Sequence, residues 1–404
     1  MRVRILRGRA SGCVSAPPSK SMAHRLLIAA ALADGESVIT GVSSCEDVLA
    51  TLDCLRALGV KAICEGDTVR VWGIDMRRAL PSGTLPCRES GSTLRFILPL
   101  ALLSGNAATL VGAPRLLERP MSVYSEICRE RGYEYEATGG GISVRGPLEC
   151  GDFRVAGNVS SQFITGLLFA LSCLEGDSRI IITTELESRS YIGLTVAAMA
   201  AFGVMVEWRG ASELYIKGGQ HYRARQIAVE GDYSGAAFLD ALTVLGGEVK
   251  VSGLSDESLQ GDRVYRDLYS RLADGYCEID IGDCPDLGPI LFTLAAALHG
   301  GRFTGTARLK IKESDRAAAM TEELSKFGAS LTVSENEVTV EKATLHEPSE
   351  LLSGHNDHRI VMSLATLATI YGGRIEGAEA VAKSYPEYFD DLSALGIAVE
   401  IEEK

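Results

Sequence analysis

Four short stretches set small polar and charged residues directly ahead of an apolar run, a layout suited to holding anions. The first, "PPSKSMAHRLL", opens a helix with Lys20 and Ser21 and puts Arg25 four residues after Ser21 on the same face. The second, "CRESGSTLRF", repeats it: Gly91 permits close backbone approach, Ser92 and Thr93 add hydroxyls, and Arg95 follows at the helical spacing of Arg25. The third, "GNVSSQF", offers Ser160, Ser161 and Gln162. Two hydroxyls and an amide suit a phosphate or a polyhydroxylated ring, although N-capping accounts for one of them. The fourth, "HNDHRIVM", groups Asp357, His358 and Arg359. No second His stands at ligand spacing, so Arg359 argues for an anion there rather than a metal.

Proton-moving groups stand in similar places. In "DCPDLGP", Asp286 either caps the following helix or faces the site as a general base. In "RLKIKESDR", Lys312, Glu313, Asp315 and Arg316 place an acid among cations, an arrangement that holds an anion and moves a proton beside it. The other reading of that stretch is a capping box with i,i+4 ion pairs on a solvated helix. "RLLERPM" adds Arg119 and "AKSYPEYF" adds Lys383. There is no G-x-S-x-G elbow, no Walker motif and no strand-linked G-x-G-x-x-G.

These residues fall in a repeat. Six times the chain runs from a small polar start through an apolar helix to a glycine and then alternates like a strand. The helices are expected at 21–33, 92–103, 161–174, 234–245, 287–299 and 358–371, closed by Gly35, Gly105, Gly176, Gly246, Gly300 and Gly372. Successive closing glycines are 70, 71, 70, 54 and 72 residues apart, so one unit is short. A second helix in each unit ends at Gly59, Gly132, Gly203, Gly275, Gly328 or Gly396, where a left-handed cap is expected. Each unit thus reads helix, strand, helix, strand, strand, an α/β order. Six units divide into two domains of three, with the boundary near 225–230 and an opening strand, 1–14, that could pair with the second domain. The six helices are apolar nearly all round and so belong inside their domains. Their N-termini carry free N–H groups and partial positive charge, and several converging on one cleft would form a strong anion site.

Composition narrows the partners. The chain has 404 residues and a net charge of −13, which disfavours binding to nucleic-acid backbones. It is 46% hydrophobic and 23% charged, ordinary for a globular protein. The ten cysteines show no C-x-x-C spacing and read as buried thiols in a reducing compartment. The longest mostly apolar run, 163–174, is too short for a bilayer at about 20 residues per span. The start of the chain lacks the apolar stretch of a signal peptide, so a cytoplasmic protein is expected.

The motifs "SKSMAHR", "SGSTLRF", "LLERP", "NVSSQF", "ESRSYI", "PDLGPI", "KESDR", "NDHR" and "AKSYPEYF" together resemble the 5-enolpyruvylshikimate-3-phosphate synthase family, in the family's order, from residue 18 to about 392. The resemblance implies an inside-out α/β barrel type of fold. Two similar domains, 15–226 and 1–14 plus 227–404, each of three pseudo-repeats, would close over substrates held in the cleft between them. It implies transfer of the enolpyruvyl group of phosphoenolpyruvate to the 5-hydroxyl of shikimate 3-phosphate with release of phosphate. That is a step of the shikimate pathway toward chorismate and aromatic amino acids. No metal or organic cofactor, no nucleic acid and no membrane is implied, and a monomer is expected.

Carried over by motif, Lys20, Ser21, Arg25, Ser160, Ser161, Gln162, Ser188 and Tyr191 are shikimate 3-phosphate contacts, with Asp286 and Lys312 reaching the same substrate. Lys20, Gly91, Arg119, Gln162, Arg316, Arg359 and Lys383 form the phosphoenolpyruvate clamp. Asp286 is the base for the 5-hydroxyl, and Glu313 with Lys20 donates the proton to the methylene carbon and later removes it. The chain departs from the common pattern at Arg88-Glu89 (often Gly-Asn), at Pro17 (often Gly), at Arg308 (often Asn) and at Phe96 (Pro in some members). Gly91 implies sensitivity to glyphosate, an inhibitor of the phosphoenolpyruvate site. A sister transferase acting on UDP-N-acetylglucosamine has a Lys-Asn opening and a loop cysteine that this chain lacks. A repeat-built DNA clamp needs basic helices where these are apolar.

Overall fold

Six helices, apolar on almost every face, need an apolar environment on every face, and the fold supplies it. The computed structural model describes residues 1–81 and 83–402. These helices run Lys20–Ala31, Gly91–Leu102, Ser161–Leu171, Tyr233–Val244, Gly288–Ala297 and His358–Tyr371. Every residue from Gly288 to Ala296 is buried. Each repeat adds a second helix with one buried side: Glu46–Ala57, Ser122–Arg131, Arg189–Ala201, Tyr265–Asp274, Arg316–Ser325 and Tyr388–Ala394. Tyr265, Leu268, Tyr269 and Leu272 show the i, i+3, i+4, i+7 spacing that makes such a side.

The chain forms two compact units, Lys20–Glu230 and Met1–Ser19 with Gly231–Lys404. Each buries its own apolar core. The breaks fall a few residues beyond the expected 14/15 and 226/227. Asp232 N donates to Pro17 O and Ala16 N to Ser252 O, which ties the segment after the second strand to the unit that follows Gly231.

Within Lys20–Glu230, three four-stranded sheets share one topology. One runs Thr84–Pro86, Ala108–Val111, Gly141–Arg145, Glu134–Thr138: a parallel pair continued by an antiparallel hairpin. The Asp152–Val155 sheet has the same pattern, as has the sheet around Glu36–Thr40. In the other unit, the sheet beginning at Glu278–Asp280 is of the same kind. Its last sheet is completed by the start of the chain, because Arg2–Ile5 lies antiparallel between Gly373–Glu376 and Val399–Glu402. The short repeat keeps only Ser11–Ser15 beside Glu248–Ser252, without a hairpin, which explains its reduced length.

The leading strands are exchanged where the chain passes between units. Ser11–Ser15 precedes the Lys20–Ala31 helix yet pairs with Glu248–Ser252. Gln226–Ala228 precedes the Tyr233–Val244 helix yet pairs with Glu36–Thr40. One expected cap differs. Gly132 ends its helix left-handed at φ 71°, ψ 23°, whereas Gly275 ends its helix at φ 159°, ψ −173°, outside the left-handed helical region. Among the described residues no helix is long and apolar enough to cross a membrane.

Candidate active site

In the Lys20–Glu230 unit, side chains at the helix starts tie four N-termini to one another. Lys20 Nζ donates to Asp47 Oδ2 at 2.8 Å, Thr93 Oγ1 to Asp47 O at 3.3 Å, and Gln162 Nε2 to Ser92 Oγ at 2.9 Å. Gln162 Oε1 in turn accepts from Arg95 Nη1 at 2.7 Å. Behind them runs a buried chain of hydroxyls: His24 Nδ1 lies 2.7 Å from Thr51 Oγ1, Thr51 Oγ1 lies 2.7 Å from Thr93 Oγ1, and Thr93 Oγ1 lies 2.8 Å from Ser90 Oγ. Burial, reinforced by Lys20 and Arg25, holds the His24 imidazole well below its ordinary pKa, so it is neutral.

Arg25 is buried in this unit and fixed on three sides. Its Nε donates to Thr195 Oγ1 at 2.9 Å, Nη1 to Ser21 O at 2.6 Å and Nη2 to Tyr191 O at 3.0 Å. Burial lowers its pKa to about 10, which leaves it charged at neutral pH. Ser188 stands at the start of the Arg189–Ala201 helix in the left-handed region, φ 55° and ψ 44°. A buried non-glycine residue in that region is held by its surroundings, and such residues cluster at functional sites. Ser160 caps its helix, accepting from Gln162 N at 3.3 Å, and Ser161 is the first helical residue. Gly91 lies under the Arg119 guanidinium, whose Nη1 is 2.5 Å from where a β-carbon on Gly91 would stand.

In the other unit the hub is Asp286. Its Oδ1 accepts from Arg316 Nη1 at 2.8 Å and Lys312 Nζ at 3.1 Å, and its Oδ2 from Arg359 Nη2 at 3.0 Å. Arg316, with 1% of its side chain exposed, also donates to Glu313 Oε2 at 2.8 Å and Asp357 Oδ2 at 2.9 Å. Asp357 caps the His358–Tyr371 helix, accepting from Arg359 N at 2.9 Å. Lys383 Nζ donates to Asn356 O at 2.5 Å. Burial opposes ionisation of Asp286, but Arg359, Lys312 and Arg316 outweigh it and hold the carboxyl well below the usual range. Burial also lowers Lys312, to about 8, against the pull of Asp286.

The structure decides between two pairs of readings. Asp286 is not a cap: it lies in the 3-10 turn Pro285–Leu287 and spends its carboxylate on three cations. In "KESDR" only Asp315 caps, accepting from Ala318 N at 3.1 Å, while Arg316 is buried rather than solvated. The departures also have places. Arg88 turns its guanidinium to Asp53, 2.6 Å away, and Arg308 Nη2 donates to Gly282 O at 2.5 Å.

Within each unit the expected residues gather at the ends of the core helices. Lys20, Ser21, Arg25, Gly91, Arg119, Ser160, Ser161, Gln162, Ser188 and Tyr191 belong to one unit, and Asp286, Lys312, Glu313, Arg316, Arg359 and Lys383 to the other. Asp47 is the partner that sequence reasoning missed. In the first turn of a helix an acid reads as a complement to the helix dipole, and nothing local announces its pairing with Lys20. Metal-type donors group among the described residues at Glu322, Glu323 and His355, but Lys326 Nζ already lies 2.8 Å from Glu323.

Comparison with known proteins places the chain in a family. A family model described as EPSP synthase (3-phosphoshikimate 1-carboxyvinyltransferase) matches residues 6–392. A 3-phosphoshikimate 1-carboxyvinyltransferase of Clostridium botulinum is 39% identical, covering 97% of each chain. Its counterpart in Clostridium kluyveri is 40% identical over 95% of each. In fold, the chain is similar to an EPSP synthase from Acinetobacter baumannii, with a TM-score of 0.78 at 24% identity over the whole of both chains. It is also similar to the enolpyruvyl transferase NikO from Streptomyces tendae, at 0.75 and 17% identity over 99% and 98% of the two chains. A buried acid–base cluster, a second set of cations at helix starts and matches over nearly the whole chain lead to one conclusion: the protein belongs to the EPSP synthase family, the 3-phosphoshikimate 1-carboxyvinyltransferases.

Proposed function

We propose that the residues of both clusters serve one reaction, enolpyruvyl transfer. The reaction is that of the family: the 5-hydroxyl of shikimate 3-phosphate takes the enolpyruvyl group of phosphoenolpyruvate, and phosphate leaves. Both substrates carry a phosphate and a carboxylate, so their binding needs several fixed cations. In our reading Lys20, Ser21, Arg25, Ser160, Ser161, Gln162, Ser188 and Tyr191, with Asp286 and Lys312, bind shikimate 3-phosphate. Lys20, Gly91, Arg119, Gln162, Arg316, Arg359 and Lys383 bind phosphoenolpyruvate.

The observation that carries the assignment is Asp286, bonded to Lys312, Arg316 and Arg359 and separated from Glu313 by the shared Arg316. Three cations make a carboxylate a weak base. Substrate anions that draw Arg359 and Lys312 to themselves would return basicity to Asp286 as the hydroxyl arrives. In the addition step Asp286 takes the 5-hydroxyl proton, the oxygen bonds to the central carbon of the enol, and Glu313, with Lys20, protonates the methylene carbon. In the elimination step the carbon–phosphate oxygen bond breaks, Glu313 recovers a proton from the new methyl group, and phosphate departs with the bonding electrons. The same acid must therefore act in both directions. The surrounding cations stabilise phosphate and carboxylate charge throughout.

The test is phosphate release from phosphoenolpyruvate with and without shikimate 3-phosphate, in wild type and Glu313→Gln. Release that requires the acceptor and collapses in the variant is expected. Release driven instead by UDP-N-acetylglucosamine would overturn the acceptor. We also propose a monomer in the cytoplasm, and the ten free thiols support a reducing compartment.

A further inference from the structure

The Arg316–Ser325 helix holds the 353–359 turn at two places. At its first residue, Arg316 Nε donates to Asp357 Oδ2 at 2.9 Å. Two turns further on, Glu323 is fully buried and accepts from Ser353 N at 2.9 Å. The same carboxylate lies 2.9 Å from His355 Nε2 and 2.8 Å from Lys326 Nζ. Between the two grips the backbone takes an uncommon path, with His355 at φ 47° and Asn356 at φ 51°. Two successive residues other than glycine stay left-handed only where their surroundings over-determine them.

That path has a consequence for the cations. It turns Asn356 O toward Lys383 Nζ, 2.5 Å away. It also delivers Asp357 to cap Arg359 N at 2.9 Å, which sets the start of the helix that carries Arg359. Both cations thus take their positions from a turn that would have little reason to keep its shape without Glu323 beneath it.

We propose that Glu323, through its pair with His355, is a positioning residue for the phosphoenolpyruvate cations Arg359 and Lys383, touching neither of them in this role. The inference rests on the reading of those two cations as phosphoenolpyruvate ligands. Lys326 on the same carboxylate supplies the balancing charge, so the trio is an ion-pair clamp.

The test uses the full-length protein and follows phosphate release, with phosphoenolpyruvate varied at saturating shikimate 3-phosphate and then the reverse. His355→Ala and Glu323→Gln should each raise KM for phosphoenolpyruvate about tenfold, the scale of a sub-ångström to 1 Å displacement of a binding group. Both should leave kcat and KM for shikimate 3-phosphate within about twofold. His355→Lys, which puts a cation back opposite Glu323, should recover most of the loss. Should Glu323→Gln fail to fold, His355→Ala decides alone, because that side chain is partly exposed and its loss leaves no buried charge without a cation. An unchanged KM for phosphoenolpyruvate in His355→Ala, or equal losses in kcat and both KM values, overturns the inference. Lys383→Met separates the two levels. If it raises KM for phosphoenolpyruvate while His355→Ala does not, the inference alone falls; if it leaves that KM unchanged, the ligand reading falls and the inference with it.

Discussion

The Arg119 guanidinium lies against the bare α-carbon of Gly91, so that a β-carbon on Gly91 would stand 2.5 Å from Nη1. It would also stand 3.0 Å from Arg95 Nη1. Gly91→Ala must therefore push aside the tips of two arginines while leaving the backbone in place. We expect KM for phosphoenolpyruvate to rise about tenfold, with glyphosate inhibition weakened in parallel and the melting temperature nearly unchanged. Steady-state kinetics beside a thermal melt checks this, and a large loss of stability with normal KM would contradict it.

Asp286→Asn separates proton transfer from binding. The amide keeps the shape but cannot accept the 5-hydroxyl proton, so kcat should fall by about 10²- to 10⁴-fold. It also leaves Lys312, Arg316 and Arg359 facing one another with one carboxylate fewer. A loss of up to about 3 kcal/mol of stability is expected, because a cation in a buried pair loses its partner. Single-turnover phosphate release and urea unfolding measure the two effects independently.

Lys312 is expected to place an alkaline limit on the reaction. Burial lowers its pKa to about 8, with Asp286 opposing and Arg316 and Arg308 adding to the shift. Its positive charge is present below that value and is lost above it, so kcat/KM for shikimate 3-phosphate should decline as the pH passes about 8. In Lys312→Arg the charge persists, and the limb should move to higher pH. A limb at the same pH in that variant would assign it to another group.

The clamp under the 353–359 turn has its own pH signature. The hydrogen bond from His355 to Glu323 raises the imidazole pKa, against burial and Lys326, with Glu322 adding to the rise. A group whose folded pKa is raised contributes its full stability below its unfolded value, near 6.5, and loses it as the pH rises through the folded value. The gap in urea midpoint between wild type and His355→Gln should therefore be widest near pH 6 and narrow toward pH 9. A gap independent of pH would show that the pair contributes through its shape and not its charge.

Gly166 tests the packing that sets two of the helix starts. A β-carbon there would meet Arg95 O at 2.3 Å and Tyr124 Oη at 2.4 Å, and the backbone carbonyl cannot swing away as a side-chain tip can. Gly166→Ala should cost about 1–3 kcal/mol through overpacking. Because Arg95 moves with its helix, the surviving folded enzyme should show a raised KM for phosphoenolpyruvate. Calorimetry with kinetics on the folded fraction checks both.

The sequence by itself carried the repeat, the apolar character of the six core helices and the residue types at their starts. Each of these is local: an apolar run, a hydroxyl ahead of it and a glycine after it are legible within one turn of chain. The spacing put Arg25 on the same helix face as Ser21, and its Nη1 donates to Ser21 O. Pairings between separate helices were not local. Asp47 lies 27 residues from Lys20, Asp357 lies 41 from Arg316, and Asp286 lies 73 from Arg359. Whether Asp286 capped a helix or faced cations depended on where Arg316 in its own repeat and Arg359 in the next start their helices. The pairing of Gln226–Ala228 was equally hidden, since that run looks fit to pair with the strand after its own helix. An ion pair or a strand pairing draws its stability from groups that only the folded chain brings within reach, so residue types alone determined the kind of site, and tertiary packing decided which acid meets which cation.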